Sequence, residues 1–526
     1  MAKVELYDTT LRDGAQGEGV SFTVVDKLNI AAKVDELGVA YIEGGWPGSN
    51  PKDMEFFRKA RSMNLGKAKV VAFGSTRRAN SKAALDANVK SILAANTEIV
   101  TIFGKTWDLH VKEVLRTTLD ENLSMIEDTI RFLKSRGKRV FYDAEHFFNG
   151  YIANPDFAMK TIKAAEDSGA EIVVLCDTNG GMVTSELFNI VQDVRAKTKV
   201  RLGIHTHNDS DMAVANTVAA IQAGCVQAQG TINGIGERCG NANLTSIIPI
   251  LKIKLGIDCV SDMALRGLSD VSKYVSEICN MKHMDNQPFV GNSAFAHKGG
   301  VHVDAVLKNV RTYEHMDPAG VGNRRRILIS ELSGKSSIAA KAQEMDMDLK
   351  KDTDSARKIL NVLQDMEHKG YHFEAAEASL ELLMKKAKKE FRDFFELEDF
   401  RVIVEKKPGR KITSEATIKI RVKGSLEHTA SLGDGPVNAL DNALRKALVK
   451  FYPGLDQMHL SDYKVMVLNE KAGTAARVRV LVQSQDKTDS WWTVGVSENV
   501  IEASWEALVD SIEYKLLKDK KKKTRD

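Results

Sequence analysis

Glu171-Ile172-Val173-Val174-Leu175-Cys176-Asp177, a stretch of helical period at 185–197, and Arg201-Leu202-Gly203-Ile204-His205-Thr206-His207 form the passage that decides the fold. Each short run is rich in Val, Ile or Leu and is closed by polar residues, as a buried strand is. The amphipathic segment between them has the length of a crossover helix, so the three together predict a parallel βαβ unit. Working outward, the same alternation recurs. Apolar runs lie at 3–8, 39–44, 69–74, 98–104, 138–143, 171–177, 201–207 and 225–231, with helical stretches such as 24–37, 52–62, 120–135 and 155–167 between them. Eight such units predict an α/β fold, a closed (β/α)8 TIM barrel. A doubly wound open sheet is the alternative, because strand count alone does not prove closure.

Past about Leu255 the alternation fades, and residues from about 262 to 395 read as helices, for example at 338–344, 354–367 and 374–394. Strand-like runs return at 400–405, 417–422, 464–469, 477–483 and 491–496, with helical segments at 439–450 and 501–517. Arg477-Val478-Arg479-Val480 alternates as a half-exposed antiparallel strand does. The predicted organisation is a catalytic barrel over 1–275, helical linker subdomains over 276–395 and a small α+β domain over 396–526. The lysine run at 520–523 reads as a solvated, frayed end, and no internal repeat is visible.

A length of 526 residues suits this division, since single cores stop growing at about 250–300 residues. The composition, 43% hydrophobic and 28% charged with only 9 Pro, is that of a globular chain without long Pro-rich linkers. Lys+Arg 75 against Asp+Glu 71 leaves no basic surplus for nucleic acid or a membrane surface. Lys3, Glu5 and Asp8 stand where a signal peptide would need an apolar core, and no apolar run approaches the roughly 18–20 residues that span a bilayer. A soluble, cytoplasmic chain is expected. The five cysteines, Cys176, Cys225, Cys239, Cys259 and Cys279, are too widely spaced for a disulfide framework or a thiolate zinc site, so reduced thiols are expected.

In a barrel of this kind reactive groups gather at the carboxyl ends of the strands. The first run leads into Asp8-Thr9-Thr10-Leu11-Arg12-Asp13-Gly14-Ala15-Gln16, and the second ends in Glu43-Gly44-Gly45. The fifth ends in Asp143-Ala144-Glu145-His146, the sixth in Asp177-Thr178-Asn179-Gly180-Gly181 and the seventh in His205-Thr206-His207-Asn208-Asp209. His205 and His207 stand two apart, so on a strand both imidazoles point to one side. With a carboxylate they make a two-His, one-carboxylate set that holds a divalent ion and leaves positions open for substrate. Arg12 beside Asp13 offers a guanidinium fork for an oxyanion or a polarised carbonyl. Glu43 is a candidate partner for Arg12, and Glu145 a candidate acid/base that its local sequence does not separate from Asp143. The eighth unit continues into Asn233-Gly234-Ile235-Gly236-Glu237-Arg238-Cys239-Gly240-Asn241. These glycines are wrongly spaced for a dinucleotide fingerprint, but their backbone amides suit a phosphorylated ligand such as coenzyme A.

Taken together, Asp8-Thr9-Thr10-Leu11-Arg12-Asp13-Gly14, His205-Thr206-His207-Asn208-Asp209 and Gly234-Ile235-Gly236-Glu237-Arg238-Cys239-Gly240-Asn241 resemble the signatures of the 2-isopropylmalate, homocitrate and citramalate synthase family. Gly433-Asp434-Gly435-Pro436-Val437-Asn438-Ala439 and Gly495-Val496-Ser497-Glu498-Asn499-Val500-Ile501-Glu502-Ala503 are similar to its regulatory domain, so the likeness spans nearly the whole chain. It implies a homodimer whose carboxyl-terminal domain binds a feedback amino acid, isoleucine. Position by position, it implies Asp13, His205 and His207 as ligands of a divalent metal (Mn, Mg, Zn or Co), with Asn241 near it. Arg12 matches the arginine on the keto oxygen, Thr178 the threonine on the keto-acid carboxylate, and Glu145 the active-site glutamate. Gly234, Gly236, Glu237 and Asn241 fall to coenzyme A. His302 and Tyr313 match residues donated by the helical region of a partner subunit, although the family's Gln-Asp-Gly after that histidine reads Val303-Asp304-Ala305 here.

The stretch Glu43-Gly44-Gly45-Trp46-Pro47-Gly48 departs from the Ala-Gly-Phe-Pro that follows the glutamate in isopropylmalate synthases. That departure favours pyruvate over a bulkier branched keto acid. The implied reaction is a condensation of acetyl-CoA with pyruvate and water, first step of a route to 2-oxobutyrate and isoleucine. Condensation with 2-oxoisovalerate or 2-oxoglutarate is the near alternative. A lyase for 3-hydroxy-3-methylglutaryl-type thioesters and a catalytically silent amino-acid sensor are remoter ones. A regulatory domain weighs against the lyase, and the intact Arg12, Asp13, His205 and His207 set against the sensor.

Overall fold

The computed structural model describes residues 3–330, 333–345, 347, 349, 353–468 and 476–525. It divides into two compact units, Met1–Phe295 with Met316–Arg325, and Ala296–His315 with Arg326–Asp526.

The first unit is a closed barrel of eight strands in sequential order: β1 (Glu5–Asp8), β2 (Tyr41–Gly45), β3 (Lys69–Ser75), β4 (Ile99–Lys105), β5 (Arg139–Glu145), β6 (Ile172–Asp177), β7 (Arg201–Thr206) and β8 (Gln227–Gly230). β1 pairs in parallel with both β2 and β8, which closes the cylinder and excludes the open sheet. Strands walled on both sides need apolar residues at nearly every position, hence the continuous Val/Ile runs. The faces still differ. Tyr7, Tyr41, Val71, Ile99, Phe141, Ile172 and Val174 pack together as one cluster, apart from the larger core that joins strands to helices. Stepping two residues along from members of the small cluster reaches Glu43, Phe73, Thr101, Asp143 and Cys176, and a further step on β5 reaches Glu145. The barrel floor is thus aromatic and aliphatic, and the layer above it brings in Glu43, Thr101 and Asp143 beside Phe73 and Cys176.

The second unit carries two antiparallel three-stranded sheets, Glu396–Glu405, Thr413–Val422 and Ser425–Gly433 in one, His459–Val467, Val478–Gln485 and Ser490–Ser497 in the other. Each sheet is followed by a helix, Pro436–Leu448 and Val500–Arg525, so a three-strand-plus-helix unit occurs twice where the sequence shows no repeat. The strand Ser425–Gly433 escapes a sequence reading because Glu427, His428 and Ser431 break its apolar pattern. It follows Thr413–Val422 through Lys423-Gly424, both at positive φ (48° and 85°), a two-residue turn that matches strand twist. The helix expected over 374–394 is Glu377–Ala387, ended where Lys389 takes a left-handed φ of 60°. The carboxyl end is not frayed. The last helix runs to Arg525, and Lys518 and Lys521 reach Asp489 and Glu381 at 2.9 Å each. Asn469, expected to close a strand, lies outside the described residues. No helix among the described residues is long and apolar enough to cross a membrane. The five cysteines are free thiols, with Cys239 alone exposed.

Candidate active site

Local hydrogen bonding sets the approach to Asp13. At the end of β1 the Asp8 carboxylate accepts the Thr10 N–H (3.1 Å) and hydroxyl (2.8 Å), which turns the chain. The Thr9 carbonyl then accepts the N–H groups of Arg12, Asp13 and Gly14, wrapping the loop over the barrel mouth. Opposite, β7 delivers His205, and the chain continues so that the His207 N–H donates to the Asp177 carbonyl. His207 also bridges to Asn241, which brings that asparagine alongside.

Asp13 Oδ2 lies 3.3 Å from His205 Nε2, and the two Nε2 atoms of His205 and His207 lie 3.4 Å apart. One ligand atom from each of the three residues falls within 4.8 Å of the others, and all three are buried. Among the described residues this is the one such grouping of His, Cys, Asp and Glu. Asp13 Oδ2 and Asn241 Oδ1 are buried without a hydrogen-bond partner, which a cation would satisfy. Protonation suits one too. Burial lowers His205 and pushes His207 down to about 4, so both imidazoles are neutral. For Asp13, burial opposes ionisation, but the Arg12 guanidinium beside it prevails and the carboxyl is held below its ordinary range. Neutral imidazoles and an anionic carboxylate are what a hard or borderline divalent ion takes.

Arg12 is held from three sides. Its Nε donates to Glu43 Oε1 at 2.6 Å, its Nη1 lies 3.3 Å from Asp13 Oδ1, and its guanidinium stacks 3.9 Å over the Phe73 ring. Glu43 is fully buried and also accepts the Tyr7 hydroxyl at 2.6 Å. The cavity above, about 200 Å3, is lined by Arg12, Asp13, Glu145, Thr178, His205 and His207 from the sequence-derived set, with Glu237 at its edge. Thr178 Oγ1 accepts the His146 N–H at 2.9 Å, leaving its own proton free to donate. Glu145, at the end of β5, forms an ion pair with Lys105 at the end of β4. At Asp143, burial and then Glu43 drive the carboxyl well above the ordinary range.

Several lining groups are given no role by the motif reading. Trp46, Phe73 and Phe103 form an aromatic wall, with Trp46 edge-on to both phenyl rings at 6.0 and 5.5 Å. Lys105, paired with Glu145, and Gln229, against His205, take their roles only from the fold. The glycine-rich loop folds back on itself. Asn241 N–H donates to the Gly234 carbonyl at 3.0 Å, and a Cβ at Gly240 (φ 87°) would run into that same oxygen. Arg238 grips Asp209 through two bonds (2.7 and 3.0 Å) and donates to the Thr178 carbonyl at 2.9 Å. His302 and Tyr313 belong to the second unit, where their rings lie 4.3 Å apart and both are exposed.

Residues 3–275 match the HMGL-like family model, 289–370 the homocitrate synthase post-HMGL domain-like model and 374–516 the LeuA allosteric (dimerisation) domain model. The chain is 56% identical to the (R)-citramalate synthase of Geobacter sulfurreducens and 54% identical to that of Aquifex aeolicus, covering 98% of this chain and of the relative in both cases. The chain belongs to the (R)-citramalate synthase family. A 2-isopropylmalate synthase of Methanocaldococcus jannaschii is 32% identical, over 99% of this chain and 96% of the relative, markedly further than the two (R)-citramalate synthases.

Proposed function

We propose that the chain condenses acetyl-CoA with pyruvate and water to give (R)-citramalate and coenzyme A. The observation that carries this reading is the buried Asp13, His205 and His207 set beside a fixed Arg12, in a chain of the (R)-citramalate synthase family. A divalent cation held by Asp13, His205 and His207, with Asn241 alongside, supplies Lewis-acid polarisation of the keto acid.

Thr178 donates its free hydroxyl proton to the pyruvate carboxylate. Arg12, already aimed by Glu43, stabilises the keto oxygen as it becomes an alkoxide, without reorganising during the reaction. His302, acting with Glu145, takes a proton from the acetyl methyl group, and Tyr313 holds the imidazole through ring contact. The resulting enolate carbon attacks the keto carbon, and the proton that His302 removed returns through solvent to the alkoxide. Water then hydrolyses the thioester and releases coenzyme A, whose phosphates lie against the loop of Gly234, Gly236, Glu237 and Asn241. The Trp46, Phe73 and Phe103 wall faces, on this reading, the methyl group of pyruvate. On this reading the chain works as a homodimer in which a second copy supplies His302 and Tyr313, and isoleucine bound to the carboxyl-terminal domains inhibits.

The test is product analysis. Purified chain with acetyl-CoA, pyruvate and Mn2+ forms (R)-citramalate, identified by chiral chromatography, with coenzyme A released one for one. Release of coenzyme A without citramalate, or no reaction, overturns the proposal.

A further inference from the structure

Gln229 lies on β8 with its side chain fully buried inside the barrel. A buried amide is costly unless its polar atoms find partners, and Gln229 finds them on both ends. Its Oε1 lies 3.0 Å from His205 Nδ1. Its Nε2 donates to Asp143 Oδ1 at 3.3 Å and to Gln227 Oε1 at 3.4 Å. With both amide protons directed at oxygens, the carbonyl end is left for His205, and a carbonyl accepts only. With the amide so oriented, His205 Nδ1 carries the imidazole proton.

The other ring nitrogen makes this choice matter. His205 Nε2 faces Asp13 Oδ2 at 3.3 Å and His207 Nε2 at 3.4 Å. A neutral imidazole has one proton and here two acceptors compete for it, Gln229 on one side and Asp13 on the other. Were the proton on Nε2, it would bond to Asp13 and close the space between the three ligand atoms. With it on Nδ1, the Nε2 lone pair and the Asp13 carboxylate both face that space.

We propose that Gln229 is a positioning residue for the cation site: anchored by Asp143, it holds His205 as the Nδ1–H tautomer. The inference rests on the cation-site reading above and adds the group that sets its ligand. Groups placed this way behind a ligating histidine typically change metal affinity by about 10–100-fold when removed.

The test uses the full chain stripped of metal with a chelator, titrated with Mn2+ and followed by calorimetry. Gln229→Met, similar in shape but unable to accept the proton, binds Mn2+ about 10–100-fold more weakly than the unmodified chain. Gln229→Glu, which still accepts it, stays within about threefold of the unmodified chain. In the metal-free unmodified chain, labelled with 15N-histidine, the His205 Nδ1 resonance is that of a protonated nitrogen. Equal weakening in both variants, Gln229→Met within threefold of the unmodified chain, or a proton on Nε2 overturns the inference. If the unmodified chain binds no Mn2+ at all, the cation-site reading fails and this inference falls with it.

Discussion

Arg12 Nε donates to Glu43 Oε1 at 2.6 Å, and Glu43 is in turn fixed by the Tyr7 hydroxyl at 2.6 Å, so the guanidinium is aimed before substrate arrives. Burial and Arg12 act in opposite directions on Glu43, and burial raises its carboxyl overall, a strained arrangement tolerated for what it does to Arg12. Glu43→Gln keeps the shape and weakens the hold, and is expected to lower kcat about 10-fold or more. Arg12→Lys removes the fork and is expected to cost about 10²–10³ in kcat. Steady-state coenzyme A release, with KM for acetyl-CoA unchanged in both variants, checks this.

Removing the cation should cost stability as well as turnover. Asp13 Oδ2 and Asn241 Oδ1 are buried without hydrogen-bond partners, and a bound cation would satisfy both. Mn2+ at about 100 times its Kd stabilises the chain by about 2.7 kcal/mol. Chelation is therefore expected to abolish turnover and lower the melting temperature, and added Mn2+ to restore both. In His205→Ala the restoration is lost. Calorimetric melting with and without chelator reads the difference.

The aromatic wall predicts selectivity. Phe103 stacks on Phe73 at 5.4 Å, and both line the cavity with Trp46. Phe103→Ala opens that side, so turnover of 2-oxobutyrate relative to pyruvate is expected to rise about 10-fold, within the range that one or two methylenes are worth in an apolar pocket. An unchanged ratio of kcat/KM values would show that the wall does not set the keto acid.

A pH effect arises in the second unit. Glu506, Asp510 and Glu513 share a face of the helix Val500–Arg525. Burial pushes Asp510 up to about 6 and Glu513, only 1% exposed, from 4.5 up to about 7, with Lys386 3.1 Å from Glu513 Oε2 only partly offsetting it. A carboxyl with a folded pKa raised above its unfolded value favours unfolding once ionised. Its penalty is absent below about pH 4.5, grows as pH rises to about 7, and is constant above. Glu513→Gln is expected to match the unmodified melting temperature at pH 5 and exceed it at pH 8. Equal slopes of melting temperature against pH in the two chains would contradict this assignment.

Isoleucine at millimolar concentration is expected to slow coenzyme A release and to raise the melting temperature of the full chain. Leucine and valine act more weakly. If none of the three changes either quantity, the regulatory assignment is wrong.

The barrel was legible because parallel strands buried on both sides are nearly continuous apolar runs, as at Ile172–Asp177. That His205 and His207 face one space was legible because they follow the period of a strand. Gln229 and Lys105 were not. Their meaning depends on which neighbours the closed cylinder brings opposite them, a long-range relation that no local pattern encodes. Ser425–Gly433 was missed for a different reason, its half-exposed polar face. Lys521, within the run read as solvated, was misread because its partner Glu381 lies 140 residues away in sequence.

The central claim, that this barrel condenses acetyl-CoA with pyruvate, is tested most directly by coenzyme A release with acetyl-CoA against pyruvate, 2-oxobutyrate, 2-oxoisovalerate and 2-oxoglutarate in parallel. The expected result is the highest kcat/KM for pyruvate, lower for 2-oxobutyrate, and little or no turnover of the other two. A preference for 2-oxoisovalerate or 2-oxoglutarate would contradict it.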